Sequence, residues 1–163
     1  MKITLTKAIA LGALILLADR ISKALMLKFL APAGTVVFAP FFRFTYVENT
    51  GAAFGMLAGR NAFFVIITVL LLGGIFYYRR QLAEHGKMAS LAMVFICAGA
   101  VGNLYDRLAY GYVVDFLDFR VWPVFNLADS FISAGGVLLA WAFYFNSPDE
   151  KKAPSGMKLS EEK

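Results

Sequence analysis

The stretch NAFFVIITVLLLGGIFYYRR, residues 61–80, decides the class of fold. From Asn61 to Tyr78 it holds no charged residue, and it stops at the pair Arg79-Arg80. Its length is close to the roughly 20 residues an α-helix needs to cross about 30 Å of hydrocarbon. A helix is the form to expect, because in lipid backbone N–H and C=O groups have no partners but each other. Three more apolar segments surround it. One runs from about Ala8 to Leu30 and is broken by Asp19, Arg20 and Lys23. Another runs from Met88 to about Tyr105, and the last from near Asn126 to Phe145 with Asp129 as its only charge. The ten-residue alternation of a membrane β-barrel does not occur. The pattern predicts a mainly α, integral membrane protein with four transmembrane helices.

Composition agrees. The chain has 163 residues, 60% hydrophobic and 17% charged, with a mean hydropathy of +0.66. Soluble domains average about 45–50% apolar and about 25% charged residues. A soluble domain of this size buries only about 70% of its unfolded surface, too little to hide so much apolar side chain. Cys97 is alone, so a disulfide-rich secreted scaffold is excluded. One domain over residues 1–146 is expected, followed by a polar tail, 147–163, expected to be disordered and cytoplasmic.

The net charge of +5 reflects orientation rather than nucleic-acid binding, since no basic face interleaved with aromatics is present. The N-terminus, the 79–87 loop and the tail hold nine Lys/Arg, against five (Lys28, Arg43, Arg60, Arg107, Arg120) on the other side. The positive-inside rule then places both termini in the cytoplasm. Lys2 and Lys7 before Ala8–Ala18 resemble a signal peptide, but no convincing small-x-small cleavage site precedes Asp19 and three more spans follow, so an uncleaved first helix is expected.

Two outer loops carry the unusual residues. In the first, about 31–60, Val36-Val37-Phe38 and Phe41 to Val47 read as strands. A turn at Glu48-Asn49-Thr50-Gly51 then leads to Ala52–Leu57, read as a short amphipathic helix on the membrane surface. In the second, about 107–125, Tyr112 to Phe119 is strand-like.

Charges at membrane depth cost at least about 2.5–3.5 kcal/mol on insertion scales, so each calls for a reason. Asp19 either pairs locally with Arg20 or Lys23, or lines a polar cavity together with Lys23. Asn103 and Asp106 share one helix face beside Arg107, and serve either to anchor a helix end or to face inward. Small residues at 98–102 allow close helix approach. Asp115 is a charge among apolar neighbours, directed opposite to Val114 and Phe116 if the run is a strand. Asn126 and Asp129 fit an N-cap with an acidic first turn.

Taken together, Asp19, Asp106, Asp115 and Asp129, with Asn103 and Asn126, can converge near the outer face. Two carboxylates in a low-dielectric site repel, so one keeps a proton while the other stays ionised. That is the state an aspartic protease needs. Spacing alone does not choose between Asp106 and Asp115. Other chemistries lack parts. His85, the single histidine, lies in the basic loop, and Cys97 is mid-span. Ser22 and Lys23 are adjacent and diverge on a helix, and no phosphate loop occurs. A metal site would need carboxylates alone, which suits Mg or Ca better than Zn.

Five motifs then occur in order: Asp19-Arg20-Ile21-Ser22-Lys23, Asn49-Thr50-Gly51-Ala52-Ala53-Phe54, Gly102-Asn103-Leu104-Tyr105-Asp106-Arg107, Val113-Val114-Asp115-Phe116 and Phe125-Asn126-Leu127-Ala128-Asp129-Ser130. Over about residues 8–146 the chain resembles lipoprotein signal peptidase, the type II signal peptidase of bacteria. The resemblance implies an aspartic protease of the bacterial inner membrane, active near the outer face without metal or cofactor. It implies cleavage of prolipoproteins just before a cysteine that carries diacylglyceryl. Asp115 and Asp129 match the catalytic pair. Asp19, Lys23, Asn49, Gly51, Asn103, Arg107 and Asn126 match positions that shape the site or contact substrate and the inhibitor globomycin. Asp106 also matches a family position and is read here as supporting structure. The partners implied are lipid-modified prolipoproteins and membrane lipids, and a monomer is expected. Ala52–Leu57 would act as a lid. The competing reading is a small proton- or ion-coupled carrier using buried carboxylates as relays. Its weakness is the small number of spans and the lack of an inverted repeat. A purely structural subunit would leave Asp115 and Asp129 without a role.

Overall fold

The computed structural model describes residues 3–52 and 56–145. Helix α1 spans Leu5–Leu25 and runs on as a π-helical turn over Met26–Leu30. Strands β1 (Thr35–Ala39) and β2 (Phe42–Asn49) follow, then α2 (Asn61–Glu84) and α3 (Lys87–Ala109). Strand β3 (Val113–Asp118) and α4 (Leu127–Phe145) complete the order. The expected disordered tail, 147–163, lies outside the described residues.

Each predicted apolar segment is a helix. Thr4 caps α1, its hydroxyl accepting from the Lys7 N–H. Helix α2 does not stop at Arg79-Arg80 but continues to Glu84, since Arg, Gln, Leu, Ala and Glu are all good helix formers. After the His85 cap, Gly86 with a φ of +96° permits the reversal into α3. Helices α2, α3 and α4 are long and apolar enough to cross a membrane. Helix α1, with Lys7, Asp19, Arg20 and Lys23 in its 21 residues, is more charged.

Helix α3 is the central post, with α1, α2 and α4 packed on it. Glycine makes this possible. A Cβ on Gly102 would stand 2.6 Å from Asp19 Oδ2, and one on Gly135 of α4 would stand 2.7 Å from Ile96 Cγ1. A Cβ on Gly99 would collide with the carbonyl oxygen of Ala128. The small residues at 98–102 therefore serve the close approach their sequence suggested.

Polarity runs opposite to a water-soluble core. The largest fully buried side chains are Lys23, Val114, Asn126, Asp19, Asp106 and Asp115, whereas α2 buries no residue and exposes Ile66, Leu70 and Phe76. Large exposed apolar patches mark contact with something other than water, and here every helix carries one. Lipid is the solvent that this surface fits.

The strands form an antiparallel sheet in the order β1-β2-β3. Thr35 pairs with Thr45, and Asn49 with Val113, with an irregularity in β2 between Phe44 and Val47. The free edge of β3 is met by Phe125, which exchanges hydrogen bonds with Leu117 (N···O 2.7 and 3.1 Å). That bridge ties the start of α4 to the strand carrying Asp115. The hairpin is pinned to β3 at Asp118, which accepts from Arg43, Thr45 and the Arg120 N–H. Burial pushes the Asp118 carboxyl up, but these donors outweigh it and hold the group below the usual carboxylate range.

Candidate active site

Two groups of carboxylates meet between α1, α3, β3 and α4. The first is an ion cluster. Asp19 accepts from Arg20 Nη2 (2.8 Å), Lys23 Nζ (3.2 Å) and the Ala128 N–H (3.1 Å). Asp106 accepts from Arg20 Nη1 (2.6 Å), Lys23 Nζ (2.7 Å) and the Val114 N–H (3.4 Å). Asp19, Lys23 and Asp106 are at most 1% exposed, so two anions and two cations lock α1, α3, β3 and the start of α4 together. Removing charges from water is expensive, and balanced, fully hydrogen-bonded pairing is what offsets it. Both local pairings read from the sequence for Asp19 are present, and neither Asp19 nor Lys23 lines the cavity.

The second group is Asp115 on β3 and Asp129 in the first turn of α4. Asn126 Nδ2 donates to Asp115 Oδ1 (2.7 Å) and Asn49 Nδ2 to Asp115 Oδ2 (2.8 Å). Asn103 Nδ2 donates to Asp129 Oδ1 (2.7 Å), and the Asn126 N–H to Asp129 Oδ2 (3.2 Å). Asn126 thus touches both carboxylates and also caps α4, its Oδ1 accepting from the Asp129 N–H at 2.9 Å. The N-cap expected from the sequence exists, and it holds the two acids together. Asp115 lies outside the apolar helices. Burial and the neighbouring charge of Asp129 push its carboxyl up to about 7, against the pull of the Asn49 and Asn126 amides.

These two acids open onto a cavity of about 770 Å³, lined also by Asn49, Gly51, Asn103 and Arg107. Its apolar wall comes from Phe64 of α2, Trp122, Pro123 and Phe125, and α4 adds Ser130 and Ser133. Arg107 Nη2 donates to the Gly51 carbonyl (2.9 Å), and the guanidinium stands 4.5 Å over the Phe64 ring. Asn126 and Asp106 reach the site from behind and do not line it. Among the described residues no group of three His, Cys, Asp or Glu side chains is placed to hold a metal ion.

Sequence reasoning missed the apolar wall and Asn61, whose Nδ2 donates to the Arg107 carbonyl (3.0 Å) and ties the start of α2 to the site. Nothing in one sequence distinguishes these apolar residues from the many that face lipid. The middle of the expected amphipathic helix, 53–55, lies outside the described residues. On either side, the Ala52 N–H donates to the Met56 carbonyl (2.9 Å) and the Gly59 N–H to Thr50 Oγ1 (3.2 Å).

The family model for signal peptidase (SPase) II matches residues 11–145. The chain belongs to the signal peptidase II family. It is similar to the lipoprotein signal peptidase of Caldanaerobacter subterraneus subsp. tengcongensis, 44% identical over 140 residues, covering 85% of this chain and 96% of that one. The lipoprotein signal peptidase of Pelotomaculum thermopropionicum is 41% identical over 141 residues, covering 86% and 93%. A bacterial membrane enzyme solved by the in meso method at 2.3 Å resolution superposes with a TM-score of 0.78 at 30% identity, covering 99% of this chain and 98% of that one. This family member is an aspartic protease of the membrane, acting in lipoprotein processing. The comparisons carry nothing in favour of an ion-coupled carrier.

Proposed function

We propose that Asp115 and Asp129 are the catalytic pair and that the substrate is a prolipoprotein whose cysteine already bears diacylglyceryl. The observation that carries this reading is that they are the two carboxylates lining the cavity, held side by side through Asn126. In this reading the pair shares one proton, held by Asp115, whose carboxyl is pushed up to about 7. Asp129 takes a proton from a water whose oxygen attacks the carbonyl carbon before the cysteine, while Asp115 donates to the carbonyl oxygen. The tetrahedral diol collapses, a proton passes to the nitrogen and the C–N bond breaks. The products are a signal peptide with a new carboxyl terminus and a lipidated cysteine with a free α-amine. Asn49, Gly51, Asn103 and Arg107 position the peptide backbone, and globomycin-type inhibitors occupy the same space.

All four helices cross the bacterial inner membrane in this reading, with both termini in the cytoplasm and the sheet at the outer face. The neutral ion cluster supports a membrane position for α1, because its three central charges are paired inside the protein. A monomer suffices, since one chain supplies both acids. The test is a gel-shift cleavage assay on a diacylglyceryl-modified prolipoprotein with wild type, Asp115→Asn, Asp129→Asn and Asp106→Asn, each checked for folding. Loss of cleavage in the first two with activity retained in the third supports the pair. An inactive Asp106→Asn beside an active Asp115→Asn overturns the assignment.

A further inference from the structure

The amide side chains around the two acids share one feature. Oxygen and nitrogen of an amide are alike in shape, so neighbours decide which way each points. For the three Asn bonded to the acids, each oxygen is held by a group that can only donate. Asn49 Oδ1 accepts from the Gly51 N–H (2.9 Å), Asn126 Oδ1 from the Asp129 N–H (2.9 Å), and Asn103 Oδ1 from Lys23 Nζ (2.8 Å). The first two clamps are backbone. The third is a buried ammonium on another helix, and it turns the Asn103 NH2 onto Asp129 Oδ1. A flipped Asn103 would set two donors against each other at Lys23 and two acceptors against each other at Asp129. As built, all four carboxylate oxygens of the pair receive protein donors. A proton leaving the pair therefore has only water or substrate to go to.

We propose that Lys23 is a positioning residue for the cleavage reaction: from behind the cavity it fixes the orientation of the Asn103 amide and so the donor presented to Asp129. The inference rests on the catalytic pair proposed above. The charged groups around Asp129 are Lys23 and Asp19 on α1, Arg107 on α3 and Asp115 on β3. Of these, Lys23 alone is bonded to the oxygen of the amide that touches Asp129, although the Asn126 amide also donates to that oxygen (3.2 Å).

The experiment separates this role from the part Lys23 plays in the ion cluster. Full-length Lys23→Met, Lys23→Met/Asp106→Asn, Asn103→Ala and Lys23→Met/Asn103→Ala are compared with wild type for melting temperature and for cleavage of a diacylglyceryl-modified prolipoprotein across pH. Lys23→Met alone leaves the cluster with an unbalanced charge and melts early. Lys23→Met/Asp106→Asn removes one charge of each sign and regains melting temperature. Its kcat stays about 10–100-fold low, the usual cost of losing an outer-shell partner. The acidic limb of its pH profile moves to higher pH, because the ionised pair has lost a fixed donor. Lys23→Met/Asn103→Ala is no slower than Asn103→Ala. Recovery of wild-type kcat and pH profile by Lys23→Met/Asp106→Asn overturns the proposal, as do losses that multiply in Lys23→Met/Asn103→Ala. If Lys23→Met/Asp106→Asn does not fold, the Asn103 comparison decides. An active Asp129→Asn enzyme sinks the catalytic pair itself, whatever the Lys23 variants do.

Discussion

Asp19 and Asp106 on one side, and Asp115 and Asp129 on the other, are the same residue type in the same few ångströms of protein, yet their partners differ in kind. Cations hold the first two, in a cluster whose charges cancel. Amides and backbone N–H groups hold the second two. A cation at contact cancels charge and binds elements together, whereas a neutral donor fixes a carboxyl group's position without adding a charge. Burial alone does not separate the two groups, since Asp106 is 0% and Asp115 1% exposed.

Exchanging Asp for Asn at each position tests that division most sharply. Asp115→Asn or Asp129→Asn removes an acid or base and is expected to lower kcat by about 10³-fold or more with the fold retained, read by single-turnover cleavage. Asp106→Asn or Asp19→Asn should instead cost stability, about 3–5 kcal/mol for leaving a buried partner uncompensated, read by thermal or denaturant unfolding in detergent. Cleavage per folded molecule should largely survive in Asp106→Asn. A stable, inactive Asp106→Asn enzyme would erase the distinction.

A smaller effect is expected at Gly102. Its substitution by Ala puts a methyl against Asp19 Oδ2, which three donors prevent from moving away. About 1–3 kcal/mol should be lost, and a melting temperature equal to wild type would mean that the helices part easily.

The most gradual effect is a pH slope. The folded carboxyl of Asp115 lies near 7, above its ordinary 3.8. Between those values the unfolded chain releases this proton and the folded chain keeps it. Stability is therefore lost as pH rises from about 4 to about 7 and is flat beyond, at up to about 1.4 kcal/mol per pH unit. Asp115→Asn should remove that slope from a pH series of melting curves, while Asp106→Asn should leave it. If Asp115 is the proton donor proposed above, cleavage by wild type should also decline above about pH 7.

Much of this was readable in the chain itself. The apolar runs became helices because lipid leaves the backbone no alternative, and Val113–Phe116 became a strand because β-branched residues suit one. The conflict of a charge within an apolar run marked Asp19, Asp115 and Asp129. What spacing did not supply was partner choice. Asp106 and Asp115 look alike in sequence, and the difference arises because Arg20 and Lys23 reach the former across 86 and 83 positions of chain, while the Asn49 and Asn126 amides reach the latter. The cavity wall at Phe64 and Trp122 was invisible for a related reason. In a membrane protein an aromatic residue facing lipid and one facing a cavity obey the same hydropathy.

Helix α2 supplies that wall through Phe64, and it buries none of its residues against the rest of the molecule. Its main support in the protein is α3, so the bilayer itself is the medium on its other flanks. Widening the gap between α2 and α4 for an incoming signal-peptide helix then breaks few protein contacts and chiefly rearranges acyl chains. On that route, turnover is expected to depend on the physical state of the lipid. In vesicles carried through their melting transition, the cleavage rate should drop as the chains freeze, well before the carboxylates or their amides have changed at all.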